Sequence, residues 1–381
     1  MTNPAIVVMA YNRPAAVARL LHSLATATIA PDTPLIISLD NSPTQPEVRR
    51  LVEAFAWPHG PKHIQAWARH LGLVEHYLAC GDLTATYGAI VLLEDDLVVA
   101  RPFQQFARQA LARYQVDPTI AGISLNALWF NGYTHYRFTP LLDAGDTFFL
   151  QVPWYQGQVL WPEAWQPFRA WLAAGHGTIQ PQDPIHPVFQ TFAEDEWFPA
   201  YTKYLATTGR YFVFPRHSFC TNFGDAGTHF SRATPFFQVP LQQHKNEFVL
   251  LEMAASIAIY DSFFELAPTV LKRLAPHLQE LDLTLDVHVT KPAHLLQTEW
   301  VVTCQPAQQT LYSVTLQQRP IEANLFEVAL MQMGAGLAVA RQETVRRDRW
   351  ADWQRTYRLD RYYRRERPAG RLARLLGRFW R

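Results

Sequence analysis

Three consecutive carboxylates follow a buried strand near residue 90. The segment AIVLLEDDLVVARPFQQF, residues 89–106, is apolar on either side of Glu94, Asp95 and Asp96. Like charges crowded at the end of a buried strand repel one another, and burying them without a partner costs several kcal/mol. A bound Mg²⁺ or Mn²⁺ ion would relieve that repulsion, because both ions take one or two protein carboxylates together with water and phosphate oxygens. The alternative is a solvated acidic turn that caps the following helix, where the helix dipole favours negative charge.

Polar side chains also follow two other predicted strands. The strand in PAIVVMAYNRP leads into Ala10, Tyr11, Asn12 and Arg13, and the strand in PLIISLDNS leads into Asp40. The Arg13 fork could lie against a phosphate, or the residue could be an ordinary surface arginine before a proline. The Asp40 carboxylate could accept a hydrogen bond from a uracil or ribose group, or form an Asx turn. Because ligands of parallel α/β sheets bind outside the carboxyl ends of the strands, we expect these residues to lie near the three acids.

Short apolar strands alternate with helical patterns in the first 115 residues. We predict strands at 5–9, 35–39 and 89–94, and helices at 15–24, 46–55 and 103–115. This alternation predicts an α/β fold, in which a mainly parallel sheet has helices on both faces. Residues 125–235 are rich in aromatic side chains and loops, which indicates either a cleft that stacks on flat ligand faces or an aromatic core.

The character of the sequence changes after Pro240. Residues 247–274 have a mainly helical pattern, and the predicted strands after them are LDLTLDVHVT, EWVVTCQ, TLYSVTLQ and NLFEVAL. We therefore predict three parts, which are a main α/β domain at 1–238, a small antiparallel α+β region at 239–342 and a basic helical tail at 343–381.

The C-terminal tail is strongly basic. Residues 341–381 hold 14 Arg against 5 Asp plus Glu, although the whole chain of 381 residues has a net charge of only +1. Its end could form a basic amphipathic helix in which Arg371, Arg374 and Arg378 flank Leu372, Leu375, Leu376, Phe379 and Trp380. Such a helix would lie on an anionic membrane, pack back on the body or bind a partner. We expect no nucleic-acid partner, since no recognition module is visible.

Composition and the lack of targeting signals indicate the compartment. With 49% hydrophobic and 18% charged residues, the chain has a globular composition. Its three cysteines lack metal-site or disulfide spacing, no signal peptide precedes the first strand, and no apolar run approaches the roughly 18 residues of a membrane span. We therefore expect a cytoplasmic protein, in which any membrane contact is peripheral and at the inner face.

Several segments, in order, resemble nucleotide-sugar glycosyltransferases of the GT-A fold, with the N-acetylglucosaminyltransferase I family and bacterial family-2-like glycosyltransferases the most similar. They are VVMAYNRP, IISLDNS, EDDL, SLNALWFNGY, FFLQVPWYQGQVLWPEAW, EDEW and NFGDAGTHF, within residues 4–235. The resemblance implies a Rossmann-like GT-A mixed sheet that binds a nucleotide-sugar donor, an Mn²⁺ or Mg²⁺ cofactor, and a glycan or lipid-linked acceptor.

The resemblance also implies a role for each motif. Asp96 would ligate the metal ion, Asp95 would contact ribose or sugar, and Glu94 would contact the donor sugar. Asp195 in EDEW would be the catalytic base, with Glu196 as the second candidate. The remaining donor-site residues would be Asn126 in the sugar pocket, Trp154 in the acceptor-side loop, and Gly224, Gly227, Thr228 and His229 over the diphosphate. Trp154 and Trp197 would stack on sugar faces, or else pack in the core.

The sequence thus predicts a metal-dependent, inverting hexosyl- or N-acetylhexosaminyltransferase that uses a nucleoside diphosphate sugar, with UDP favoured. A direct displacement requires a base beside the acceptor hydroxyl and a cation on the leaving diphosphate. Two alternatives stay open. One is a sugar nucleotidyltransferase, although MAYNRP lacks the glycine-rich loop of that class. The other is a catalytically silent glycan-binding or assembly protein on the same fold.

Overall fold

The computed structural model describes residues 3–193, 195–226 and 232–363. These residues divide into two compact units, each of which combines two stretches of chain. Unit 1 contains residues 3–129 and 140–264, and unit 2 contains residues 130–139 and 265–363. Each unit is defined by the dense contacts among its own residues. The three domains predicted from the sequence stay a prediction.

Unit 1 is built on a mixed sheet. Its strands are β1 (Ala5–Ala10), β2 (Leu35–Leu39), β3 (Lys62–Ala66), β4 (Ile90–Glu94), β5 (Leu97–Val99), β6 (Ile120–Ser124), β7 (Thr147–Leu150), β8 (Gln158–Leu160), β9 (Tyr211–Pro215), β10 (Cys220–Asn222) and β11 (Ile259–Tyr260). In the part of the chain that the structure describes, nine strands form one sheet in the order β11-β7-β9-β6-β8-β4-β1-β2-β3, and β5 pairs with β10 separately. Strands β3, β2, β1 and β4 are mutually parallel, whereas β8 is antiparallel to both β4 and β6.

Helices flank this sheet. They are α1 (Pro14–Thr26), α2 (Gln45–Ala54), α3 (Gly72–Asp82), α4 (Thr84–Tyr87), α5 (Phe103–Tyr114), α6 (Pro162–Ala173) and α7 (Phe198–Thr208), with short 3-10 turns at Pro187–Thr191 and Met253–Ala255. The predicted α/β class, a mixed sheet flanked by helices, is confirmed. The predicted strands and helices of the first 115 residues are also confirmed, with ends that differ by a few residues.

The central strands are buried because their sequences are apolar without interruption. Every residue of β1 and β2 is buried, and so are the first four residues of β4. Strands covered on both faces need such continuous apolar runs. Helix α1 packs its apolar stripe, which includes Val17, Leu20 and Leu24, into the same core.

The register of these strands brings the polar segments to one edge. Met9 lies beside Glu94 in the β1–β4 pair, and Ala10 lies beside Leu39 in the β1–β2 pair. The residues that follow each strand therefore leave the sheet at the same level. Residues 11–13, 40–41 and 95–96 all lie at this carboxyl edge.

Unit 2 holds a smaller α+β arrangement. Its elements are α8 (Pro268–Leu274), β12 (Leu283–Leu285), β13 (Trp300–Thr303), β14 (Thr310–Val314), β15 (Leu337–Arg341) and α9 (Arg349–Tyr363), with 3-10 turns at Pro276–Leu278, Ala293–Leu295, Ile321–Leu325, Val328–Leu330 and Gln342–Thr344. The strands form a sheet in the order β12-β13-β15-β14, in which β12 and β13 are parallel and the other pairs antiparallel. No helix among the residues that the structure describes is long and apolar enough to cross a membrane.

Two secondary-structure predictions were wrong. Residues 247–267 are mostly extended or irregular instead of helical. Carboxylates from a distant part of the chain accept hydrogen bonds from backbone amides of this segment. Asp146 accepts a hydrogen bond from the Val249 amide at 2.8 Å, and Asp143 accepts one from the Ile257 amide at 3.1 Å. The predicted strand NLFEVAL lies in two 3-10 turns, where the Asn324 side chain accepts backbone hydrogen bonds at 2.7 and 2.9 Å.

Candidate functional site

The acid triplet lies at the carboxyl edge of the unit 1 sheet, next to the end of β1. The backbone amide of Tyr11 donates to Asp95 Oδ2 at 3.2 Å. Strand β5 separates the triplet from α5, whose first turn receives no side-chain cap. The alternative in which the acids cap the following helix is therefore excluded.

Arg13 binds two of the three carboxylates. Its Nη1 donates to Asp96 Oδ2 at 3.2 Å, and its Nη2 donates to Asp95 Oδ1. Of these side chains, Asp95 is almost fully buried, Asp96 is 24% exposed and Arg13 is 32% exposed. Burial alone would lower the pKa of Arg13, but the two carboxylates outweigh it and raise that pKa. The guanidinium is therefore the cation that offsets the acid triplet in this conformation.

The third acid has a different electrostatic state. Burial, followed by the charges of Asp96 and Asp95, raises the pKa of Glu94 well above its usual value. Burial also raises the pKa of Asp95, against the opposing effect of Arg13. Burial and the neighbouring carboxylates therefore favour the protonated form of Glu94, the form that adds no negative charge to the cluster.

The donor atoms fit a metal ion held by one carboxylate. Both oxygens of Asp95 already accept hydrogen bonds, whereas Asp96 accepts from Arg13 through Oδ2 only, as far as the described residues show. Asp96 Oδ1 is thus the oxygen available to Mn²⁺ or Mg²⁺, which complete their shells with water and phosphate oxygens. Within 3–193, 195–226 and 232–363, no group of three His, Cys, Asp or Glu residues suited to a metal ion occurs.

Asp40 organises the neighbouring loop. Its carboxylate accepts hydrogen bonds from the amides of Leu71 and Gly72 at 2.7 and 3.1 Å, and lies 2.9 Å from His70 Nδ1. These contacts fix the start of α3, and the role of Asp40 in donor binding stays a prediction. The His70 ring in turn stacks on Tyr11, with centroids 5.0 Å apart and planes 28° apart. His70 was not among the predicted site residues, because no local motif marks it.

Ala10 and Asn12, at the end of β1, accept hydrogen bonds through their backbone carbonyls. The carbonyl of Ala10 accepts the Asp40 amide at 2.9 Å, which continues the β1–β2 pairing. The carbonyl of Asn12 accepts the Thr44 hydroxyl at 3.2 Å, while the Asn12 side chain is exposed. Hydrogen bonds from Asp40 and Thr44 therefore hold segment 10–13 in place. Within this segment Tyr11 stacks on His70, and Arg13 binds the acid triplet.

The loop that contains Gly224 runs beside Asp96. Strand β10 pairs with β5, and the Phe223 amide donates to the Asp96 carbonyl at 2.9 Å. Gly224 has φ +76°, and a Cβ there would overlap the carbonyl oxygen of Thr234. Glycine is thus required at this position. The predicted site residues Gly227, Thr228 and His229 lie outside the described residues.

A buried amide pair lies next to the acid triplet. Asn126 Nδ2 donates to Gln156 Oε1 at 2.9 Å and to the Cys220 carbonyl at 3.1 Å. These bonds fix Gln156 Oε1 as an acceptor, so its Nε2 must be the donor end. Gln156 is 1% exposed, and its Nε2 makes no hydrogen bond of ordinary geometry, although Gln156 lies close enough to the Tyr155 hydroxyl to oppose the rise that burial causes in the pKa of Tyr155. Because Leu92 pairs with Gln158, Gln156 comes alongside the end of β4. Sequence reasoning missed this residue.

The EDEW segment precedes α7. Asp195 lies in a turn and is exposed, and Glu194 lies outside the described residues. The charge of Glu196 contributes to the raised pKa of Glu94 and of Tyr155, although less than burial and less than the acid-triplet carboxylates do. The structure therefore brings Glu196 towards the acid triplet.

Both candidate stacking indoles are buried. Trp197 is 4% exposed and stacks on Tyr77, with ring centroids 3.8 Å apart. Trp154 is 6% exposed and packs against Tyr155 and Phe198. These contacts fit the alternative in which both indoles pack in the core. A role of Trp154 in ligand binding stays a prediction.

Comparisons with known proteins give a likeness in architecture. No protein-family model matches the chain, and no curated protein matches it. Among solved structures, S. aureus TarS 1-349 is similar with 10% identity and a TM-score of 0.37, over 58% of this chain and 61% of that one. The mannosyltransferase PcManGT from Pyrobaculum calidifontis, solved with GDP-Man and Mn²⁺, has 13% identity and a TM-score of 0.35, over 56% and 55%.

A third similar structure is GalNAc-T7 with UDP, GalNAc and Mn²⁺, at 13% identity and a TM-score of 0.38, over 56% of this chain and 43% of that one. This chain thus spans less than two thirds of each of these relatives. Because identities and TM-scores are low, the likenesses determine neither a donor nor an acceptor for this protein, and membership of the N-acetylglucosaminyltransferase I family is not shown.

Proposed function

We propose that unit 1 is a metal-dependent, inverting glycosyltransferase that uses a nucleoside diphosphate sugar, with UDP favoured as the nucleotide. The observation that carries the proposal is the Asp95–Arg13–Asp96 cluster at the shared carboxyl edge of β1, β2 and β4. This edge is where α/β sheets bind nucleotides. The cluster offers one oxygen for a cation, from Asp96, and one guanidinium for phosphate oxygens.

In this proposal one group of residues binds the base of the donor and another binds its diphosphate. Tyr11 and His70 form an aromatic pair at the strand ends, which suits stacking on a base. Asp96 would hold Mn²⁺ or Mg²⁺ through Oδ1, and the ion when bound supplies positive charge to the diphosphate leaving group. The loop that contains Gly224 lies beside this position, since the amide of the preceding residue, Phe223, donates to the Asp96 carbonyl.

The sugar half and the acceptor have their own partners. The buried Nε2 of Gln156, which has only a loose contact with the Tyr155 hydroxyl, would donate to a donor-sugar oxygen, because a buried donor without a good hydrogen bond is costly unless a ligand supplies one. Glu94, when protonated, can also donate to the sugar. A base beside the acceptor hydroxyl takes its proton as the hydroxyl attacks the anomeric carbon. The position of Glu196 near Glu94 favours it over Asp195 for this step. The acceptor class is a glycan or a lipid-linked glycan.

Turnover of a donor panel tests the proposal. The protein is incubated with Mn²⁺ and a set of UDP, GDP and CDP sugars, and release of nucleoside diphosphate is measured with and without saccharide acceptors. We expect release with one nucleotide class that stops when EDTA is added. Formation of pyrophosphate from a nucleoside triphosphate and a sugar phosphate would instead support a nucleotidyltransferase. Glycan binding with no turnover of any donor would support a silent binding protein.

A further inference from the structure

Helix α9 in unit 2 has two contrasting apolar faces. Ala351, Leu359 and Tyr362 are buried, at 2%, 0% and 5% exposure. On the other side, Trp350 is 62% exposed, and the next aromatic residues along that face are Trp353 and Tyr357, each 43% exposed. At about 100° per residue these three positions lie within about 60° of arc, roughly opposite the buried face. A surface helix normally carries polar residues there.

The three exposed rings form a stacked ladder. Trp350 and Trp353 have centroids 4.8 Å apart, Trp353 and Tyr357 have centroids 5.7 Å apart, and both pairs have planes 14° apart. In this stack the inner ring faces are partly covered by the neighbouring rings, and the outer faces of Trp350 and Tyr357 at its two ends are left open. The ladder thus offers less open ring face to a carbohydrate than three separate rings would. Ring edges with polar N–H and O–H groups suit the headgroup region of a membrane, where Trp and Tyr are enriched.

Arginines outnumber acidic residues around the ladder, although Asp348 and Asp352 are also exposed and Asp360, which accepts a hydrogen bond from Tyr136, lies beside Arg361. Arg361 is exposed and lies one turn beyond Tyr357 on the same face, and Arg346, Arg347 and Arg349 are exposed at the start of the helix. The sequence after α9, residues 364–381, adds seven Arg and one Glu. Anionic lipid headgroups attract such clusters at about 1 kcal/mol for each Lys or Arg near the surface.

We propose that the α9 ladder, formed by Trp350, Trp353 and Tyr357, is a docking surface for an anionic lipid membrane. The ladder inserts its ring edges among the headgroups, and the flanking arginines bind the lipid phosphates. Helix α9 is anchored within unit 2 through its buried face, where Tyr362 donates to the Gln318 carbonyl at 2.8 Å and Arg355 donates to the His288 carbonyl at 2.9 Å. The ladder is therefore presented by a fixed helix. This surface does not depend on the function proposed for unit 1.

Vesicle sedimentation tests this surface on the full chain. The protein is mixed with phosphatidylcholine vesicles that contain about 30% phosphatidylglycerol. The test variant carries Trp350→Ser, Trp353→Ser and Tyr357→Ser. The matched control carries Val328→Ser, Leu330→Ser and Met333→Ser, because these residues are also exposed apolar residues of unit 2, at 54%, 60% and 66%. We expect the partition coefficient to fall about tenfold or more in the test variant and to stay unchanged in the control.

Changes of lipid and salt distinguish insertion of the ladder from attraction by charge alone. Binding should be weak to pure phosphatidylcholine and should fall as salt is raised, since lipid phosphates and arginines attract each other. Lipids brominated near the headgroup should quench tryptophan fluorescence of the wild type more than that of the test variant. Equal binding by the test variant and the wild type would overturn the proposal, as would equal binding to neutral vesicles. Arg371→Gln, Arg374→Gln and Arg378→Gln in the full chain should weaken binding without removing the quenching difference.

Discussion

Replacing Arg13 with Gln removes the internal cation of the acid triplet. Two charge-assisted hydrogen bonds are lost, and Asp95 is left buried with only the Tyr11 amide as a partner. Removing one member of a fully buried ion pair costs about 3–5 kcal/mol. Solvent reduces that cost here, because Arg13 is 32% exposed and Asp96 is 24% exposed. We therefore expect a loss of about 2 kcal/mol in the free energy of unfolding.

The assay is urea unfolding followed by circular dichroism, in which a lower midpoint at an unchanged slope reports a change in stability. Arg49→Gln is the matched control, because Arg49 forms an exposed i,i+4 pair with Glu53. Its loss should cost at most about 0.5 kcal/mol. Mn²⁺ should restore more stability to Arg13→Gln than to the wild type, since the ion replaces the missing charge. An Arg13→Gln cost no larger than that of Arg49→Gln would refute this electrostatic account.

Three further predictions concern the loop, the base and a buried histidine. Gly224→Ala should cost about 2–3 kcal/mol through steric overlap and the positive φ, whereas Gly88→Ala, at φ +72° with open space around it, should cost about 1 kcal/mol in the same urea assay. Glu196→Gln should lower kcat about 100-fold or more while donor affinity stays within about twofold, and Asp195→Asn should have the smaller effect; the reverse ranking would return the base to Asp195. Burial lowers the pKa of His76 to about 4, so the stability of the folded state should decline as pH falls from 6.5 towards 4, by up to about 3 kcal/mol. His76→Gln should flatten that part of a stability–pH curve, and an unchanged slope would contradict the assigned cause.

The parallel core of unit 1 could be predicted from sequence because its strands are continuous apolar runs. The segments AIVVMA, LIISL and IVLLE are buried on both faces, so each run reads as a strand without reference to the rest of the chain. Because parallel strands end at the same edge of a sheet, the polar residues that follow these runs could also be placed together from sequence. Edge strand β3 was not predicted, since KHIQA has no continuous apolar run and carries charge.

The partners of the site residues could not be read from sequence. Arg13 and Asp95 are 82 positions apart, and no local pattern indicates that they bind each other. Gln156 became a candidate only because the bond from Asn126 occupies its Oε1 and leaves its buried Nε2 without a hydrogen bond of ordinary geometry. The helical pattern failed over 247–267 for a related reason, since long-range acceptors such as Asp146 and Asp143 bind backbone amides of that segment, whereas 268–274 is helical as predicted.

The central claim is that Asp96 holds the cation through which a nucleoside diphosphate binds. Calorimetric titration of UDP, with and without Mn²⁺, on Asp96→Asn measures this directly, and Asp32→Asn is the matched control. Asp32 lies before β2, at the opposite edge of the sheet, with φ +59°, which Asn also tolerates. The account predicts that Mn²⁺ strengthens UDP binding to the wild type and to Asp32→Asn, and that this gain disappears in Asp96→Asn while the protein stays folded. A gain from Mn²⁺ that is equal in Asp96→Asn would contradict it.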